Sequence, residues 1–74
     1  MKTTPQPGTL LKLRTPSLIA YNAPPDDRIH AGEAVMLVSV LNSELIVLHA
    51  SGVVATIPCG DGEYAIYMWF EVLS

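Results

Sequence analysis

The stretch EAVMLVSVL, residues 33–41, is apolar on every side and long enough for either a short helix or a strand. Gly32 before it, the valines within it and Asn42-Ser43 after it favour a strand, because β-branched side chains fit a pleated surface. Working toward the C-terminus, ELIVLHA (44–50) and GVVATIP (52–58) flank Ser51-Gly52, which reads as a tight hairpin turn. Alternation sends Val35, Leu37, Ser39 and Leu41 to one face of the first strand, and Ala34, Met36, Val38 and Val40 to the other. One face fills the core. The second is apolar too, which an exposed antiparallel face normally is not. Burying such side chains is worth ~1.5–3 kcal/mol each, enough to drive association after its entropic cost.

Toward the N-terminus, GTLLKLR (8–14) alternates Leu11 and Leu13 with Lys12 and Arg14, the pattern of a half-buried strand. Pro16 ends it. A long loop, SLIAYNAPPDDRIHAG (17–32), follows with turn chemistry at Pro24-Pro25-Asp26-Asp27 and a short strand expected over Ser17–Tyr21. Residues 1–7, with Pro5 and Pro7, read as a frayed leader, and 8–74 as a single domain. CGDGEYA (59–65) reads as a Gly/Asp loop, with or without one helical turn. YMWFEVLS (67–74) reads as the last strand, with Trp69 and Phe70 on opposite faces. The fold predicted is all-β: a small five-stranded barrel.

Composition narrows the function. The 74 residues are half hydrophobic and 15% charged, too apolar for disorder. Net charge is −3, and the four basic residues, Lys2, Lys12, Arg14 and Arg28, form no stripe of the kind that phosphate neutralisation requires. One cysteine permits no internal disulfide, which fits a reducing cytoplasm, although a disulfide-free extracellular protein has the same usage. MKTTPQPGT has no apolar core to serve as a signal peptide. The longest uncharged stretch, 45–60, falls short of the ~20 apolar residues that span a bilayer. A soluble, cytoplasmic protein is expected, with no membrane association.

The candidate chemistry is thin. A nucleophilic cysteine needs a base within hydrogen-bond reach. With Ser51-Gly52 as the turn, His49 lies opposite Val54, and Cys59 lies opposite Glu44 or beyond the strand end. Five residues of strand then separate the pair by roughly 16 Å. His49 has no orienting carboxylate nearby in sequence, leaving Glu44 or Glu71 to approach in space. His30, between Arg28 and Gly32, reads as a solvated loop histidine or a pH sensor. CGDGE lacks the lysine and helix of a phosphate loop and the roughly six oxygen ligands of a calcium loop, so an ordinary turn is expected. No catalytic residue, metal ligand, cofactor or small-molecule substrate is assigned, and no enzyme activity is expected. The aromatics Tyr21, Tyr64, Tyr67, Trp69 and Phe70 either complete a thin core or make outward contacts, among them a groove for an extended peptide lined by Tyr21, Pro58 and Tyr64 or Tyr67.

The order of these elements resembles that of small SH3-like barrels, including bacterial SH3 domains. There a first strand, a long irregular loop, a turn glycine and second strand, a Ser/Asn-Gly hairpin, a short turn and a last hydrophobic strand follow in this sequence. Here they are GTLLKLR, the loop through Tyr21 and Pro24, HAGEAVMLV, LIVLHASGVVATIP and CGDGEYAIYMWFEVLS, covering residues 8–73. Ile57-Pro58 followed by Tyr64 resembles the Ile-Pro-x-x-Tyr run of peptide-binding members, with longer spacing. The ALYDY start, the tandem tryptophans and the NVRSGPS signature are absent. PGTLLKLR and FEVLS are also similar to the ends of small uncharacterised bacteriophage proteins.

The function expected is a non-enzymatic protein-interaction module that binds a partner or itself, as a homo-oligomer, through Met36, Val38 and Val40 on the strand face. The alternative surface is the aromatic groove of Tyr21, Pro58 and Tyr64 or Tyr67, with Trp69 as a further partner-binding residue. A nucleic-acid-binding barrel is the first competing reading, with Arg14 and Arg28 as its contacts. The second, implied by the resemblance, is a cell-wall or ligand-binding SH3-type domain.

Overall fold

A computed structural model describes residues 5–73 of the chain. Its elements are β1 (Leu10–Leu13), β2 (Ser17–Ile19), β3 (Arg28–His30), β4 (Ala34–Val40), β5 (Glu44–Leu48), β6 (Val54–Pro58), α1 (Gly62–Trp69) and β7 (Phe70–Val72). The fold is mostly β. Five strands form one antiparallel sheet in the order β6-β5-β4-β1-β7, and β2 pairs with β3 as a separate ribbon.

Alternation builds the main sheet as the sequence predicts. Leu11 and Leu13, Val35 and Leu37, Leu45 and Val47, Ala55 and Ile57 all point inward and are buried. They meet Ile29, Ala20 and Ala23 from the β2–β3 excursion and Ala65, Ile66 and Phe70 from the C-terminal segment in one cluster. The ribbon and the helix therefore supply the second layer that a half-apolar sheet needs.

Several expectations change. First, the pairing does not close the sheet into a five-stranded barrel, because β6 and β7 are edges that do not pair with each other. The outer edge of β6 is met instead by the excursion: Tyr21 N–H donates to the Thr56 carbonyl at 2.8 Å, and Thr56 N–H to that of Tyr21 at 3.0 Å.

Second, the expected last strand over 67–74 is cut to Phe70–Val72, and residues 62–69 form a helix. Asp61 is its N-cap, accepting from Tyr64 N–H at 3.3 Å. Apolar residues at 65, 66 and 69 give the segment a helical face, which outweighs its one glycine, Gly62. Trp69 thus ends a helix and Phe70 starts a strand; they are not opposite faces of one strand.

Third, β4 carries a register shift between Leu37 and Ser39 in its pairing with β5, which leaves Val38 as an extra residue. A bulge reverses the alternation beyond it. Val40, expected outward with Met36 and Val38, pairs with Leu45 and packs against the core.

Fourth, the β5–β6 connection is a three-residue loop rather than a two-residue turn. His49 N–H donates to Val53 O at 2.8 Å, Gly52 N–H to His49 O at 2.9 Å, and Gly52 has φ 91°. That is a turn closed by a left-handed glycine. It pairs Leu48 with Val54 and Glu44 with Pro58, one residue from the expected register.

The expected loop over 17–32 also holds a strand of its own, β3, so His30 sits on a ribbon and not in a loop. Residues 1–4 of the expected leader and Ser74 of the last strand lie outside the described residues. Within the leader, the Gln6 carbonyl accepts from Thr9 N–H at 3.1 Å and from its hydroxyl at 2.7 Å. No helix among the described residues is long and apolar enough to cross a membrane.

Candidate interaction surface

The outer face of the five-stranded sheet is built by the residues that alternate with the core. Cross-strand registry places Leu10 beside Met36, Met36 beside Leu48, and Leu48 beside Val54. Paired residues point to the same side of a sheet, so these four side chains form one apolar row across β1, β4, β5 and β6. Val38 stands on the same face, and Ile46 pairs with Thr56 in the next row. Met36 and Val38 are 38% and 40% exposed, and Val54 is 50% exposed. On the other side of the row Lys12 stands beside Ala34 and Glu71, so the apolar strip has a charged border.

Met36 and Val38 were legible from alternation alone. Leu10, Leu48 and Val54 were missed, although their period-2 offset from Leu11, Val47 and Ala55 carried the same signal. What alternation could not supply was the registry that lines them up.

The aromatic set does not converge. Tyr64 and Trp69 line a groove of about 250 Å³ along α1, together with Cys59, Gly60, Asp61, Ala65 and Met68. Tyr21 is not among its walls; it lies exposed beside β6, held by the Thr56 pairing. Pro58 ends β6 opposite Glu44 and does not line the groove either. Tyr67 lies on α1 outside the groove, and its carbonyl accepts from the Arg14 guanidinium at 3.0 Å. The groove expected from Tyr21, Pro58, Tyr64 and Tyr67 is thus replaced by one on the helix, because residues 62–69 coil instead of extending. Met68 completes it as the i+4 neighbour of Tyr64.

His49 and Cys59 stay at opposite ends of the β5–β6 hairpin: His49 flanks its loop, while Cys59 N–H bonds the Ser43 carbonyl beyond the far end. Burial pushes the Cys59 thiol above its ordinary pKa, and the charges of Asp61 and Glu44 add to that. It is a poor nucleophile in this setting.

The polar side chains form a chain of contacts instead. His49 is 7% exposed, the one buried polar or charged residue among those described. Ser51 N–H donates to its Nδ1 at 3.2 Å, with the Ser51 hydroxyl 2.8 Å from the same nitrogen, which leaves Nε2–H to donate to Glu33 Oε2 at 3.2 Å. Its orienting carboxylate is therefore Glu33, not Glu44 or Glu71. The other Glu33 oxygen accepts from His30 N–H at 2.7 Å and meets His30 Nδ1 at 2.9 Å, while His30 Nε2 meets Asp26 Oδ2 at 3.0 Å. A carboxylate on each ring nitrogen favours the doubly protonated imidazolium. The His30 pKa is accordingly raised, first by its bond to Glu33, and that of Glu33 is lowered, first by the His30 backbone N–H.

Of the two arginines weighed for nucleic acid, Arg14 donates to the carbonyls of Tyr67 and Met68 at the end of α1, and Arg28 to Ser17 Oγ. Both have structural partners on separate elements. Comparison with family models, curated proteins and solved structures gives no match, so the surface is read from its own residues alone.

Proposed function

We propose that this protein is a non-enzymatic interaction module, of SH3-like topology, that associates with a second copy of itself through the outer face of its sheet. The observation that carries the reading is the Leu10–Met36–Leu48–Val54 row, which aligns four apolar side chains on the outer face, with Leu10, Met36 and Val54 38%, 38% and 50% exposed. An antiparallel sheet in water normally alternates polar residues onto its outer side, and an aligned apolar strip marks a place where another surface sits. The topological part is supported by the strand order β6-β5-β4-β1-β7, the long excursion between β1 and β4, and the helical segment before the last strand.

Sedimentation of the full chain tests it. The reading expects a dimer that Met36→Asp or Val38→Asp converts to a monomer with an unchanged circular dichroism spectrum, since both side chains point away from the core. A loss of at least 100-fold in dimer affinity is expected, about 2.7 kcal/mol at ~1.4 kcal/mol per decade. A monomer at millimolar concentration, or a dimer indifferent to both substitutions, overturns the reading.

A further inference from the structure

Self-association through the sheet makes no use of the buried His49, where three side chains meet in line. The Ser51 hydroxyl oxygen stands 2.8 Å from His49 Nδ1, and Glu33 Oε2 stands 3.2 Å from Nε2 on the other side of the ring. Ser51 N–H donates to Nδ1 at 3.2 Å, which marks that nitrogen as an acceptor and leaves the ring proton on Nε2. A hydroxyl beside an imidazole lone pair, with a carboxylate on the opposite nitrogen, is the arrangement that activates a serine. The base takes the proton, and the carboxylate holds the ring and steadies the imidazolium that forms.

Each member is held for its own reason. His49 and Ser51 belong to the loop that His49 N–H closes on Val53 O and Gly52 N–H closes on His49 O. Glu33 precedes β4, and its other oxygen is tied by His30 N–H at 2.7 Å. The imidazole is buried, whereas Ser51 and its neighbours Ala50, Gly52 and Val53 are exposed. A Cβ on Gly52 would meet nothing within 4 Å, so the space beside Ser51 is open. The base is thus shielded and the hydroxyl accessible. Charge narrows the reagent. Among the described residues no arginine side chain bonds the loop 49–53, since Arg14 is on α1 and Arg28 on Ser17. An anionic phosphoryl donor finds no counter-charge there, while the exposed Val53 and Val54 suit a neutral, apolar acyl group.

We infer that Ser51 is an activated acyl acceptor, a covalent modification site that takes an acyl group from a neutral ester or thioester. His49 Nδ1 removes the Ser51 hydroxyl proton as Oγ adds to the carbonyl carbon. The tetrahedral adduct then expels an alkoxide or thiolate, which takes that proton from Nδ1 and leaves as alcohol or thiol. Ser51 keeps the acyl group as an ester, and nothing is oxidised or reduced. Ser51 is the reacting group, His49 the proton carrier, and Glu33 a positioning residue that acts through the imidazole. A positioned base accelerates such a transfer by ~10²–10⁴-fold.

p-Nitrophenyl acetate is the test donor, reacted in excess with the full chain near neutral pH, and peptide mass mapping locates the acetyl esters over time. Ser43 is the internal reference: it is exposed in the turn after β4, and its hydroxyl has no hydrogen-bond partner among the described residues. The inference expects Ser51 to be acetylated at least about tenfold faster than Ser43, in a bond that hydroxylamine cleaves. His49→Leu should bring Ser51 down to the Ser43 rate. Glu33→Gln keeps an oxygen for Nε2–H without the charge and should slow Ser51 roughly three- to tenfold, leaving Ser43 unchanged. The Ser51 rate should also fall in D2O, because a proton moves in the reacting step; Glu33→Gln should keep that fall and His49→Leu should lose it. A Ser51 rate no higher than that of Ser43 overturns the inference. So does an unchanged Ser51 rate in His49→Leu with the parent's circular dichroism spectrum. If His49→Leu does not fold, the comparison of Ser51 with Ser43 in the parent decides alone.

Discussion

Glu33 accepts a hydrogen bond from His49 Nε2–H at 3.2 Å, joining the residue before β4 to the residue after β5 across sixteen positions of sequence. The bond satisfies a donor that the core has nearly removed from water. A buried donor left unpaired costs ~1–3 kcal/mol, more than the bond contributes when made. Glu33→Ala is therefore expected to lower stability by about that amount, or ~4–8 °C in Tm per kcal/mol for a domain this small. In a His49→Leu background the donor is gone, and the same substitution should cost at least ~1 kcal/mol less. Thermal unfolding of the four proteins measures this; equal costs in both backgrounds would show that Glu33 acts elsewhere.

The pH profile follows from the two shifted groups. Glu33 has a folded pKa below its ordinary 4.5, so its contribution is present above 4.5 and is lost as pH falls through the lowered value. His30 has a folded pKa above its ordinary 6.5, so its contribution is full below 6.5 and is lost as pH rises through the raised value. Both are complete only between about 4.5 and 6.5, where stability should peak. A Tm series from pH 3 to 9 tests it. His30→Gln should flatten the alkaline limb and spare most of the acid one. A parent profile still rising from pH 6 to 8 would contradict the assignment.

Much of the sheet was legible because each of its four longer strands carries its own period. Leu11 and Leu13, Val35 and Leu37, Leu45 and Val47, Ala55 and Ile57 mark the inner face without reference to any partner. Features that arise between strands were not legible. The bulge at Val38 lies within LVSV, where no glycine marks it and Ser39 alternates as readily as its neighbours, and it exists only in register with β5. The helix was hidden by Gly60 and Gly62, which read as loop, although Asp61 as a cap and apolar positions 65, 66 and 69 carried a helical signal. On the surface, Met36 and Val38 were found by alternation, whereas Val40 was misplaced by the bulge. The Glu33–His49 bond had no local signature at all, since long-range polar contacts leave no period in sequence.

The junction of α1 with the sheet offers a test in which two known effects have opposite signs. Gly62 is buried at the first position of the helix, where alanine is intrinsically favoured over glycine by up to ~1 kcal/mol. A Cβ there would collide with the Leu41 carbonyl oxygen and stand 2.9 Å from Val40 Cγ1 and 3.3 Å from the Glu44 carbonyl oxygen. Those carbonyls belong to the β4–β5 turn, which Leu41 N–H closes onto Glu44 O at 2.9 Å, so they have little freedom to retreat. Overpacking against such a site costs ~1–3 kcal/mol, and it should exceed the gain in propensity. Gly62→Ala is thus expected to destabilise by about 1–2 kcal/mol net. Two residues earlier, Gly60 has nothing within 4 Å of the corresponding Cβ and no positive φ. Gly60→Ala should instead stabilise by ~0.4–1 kcal/mol through the unfolded chain's lost freedom. Denaturant unfolding of the two variants should give shifts of opposite sign. If Gly62→Ala is also stabilising, the helix is not seated against the β4–β5 turn as described.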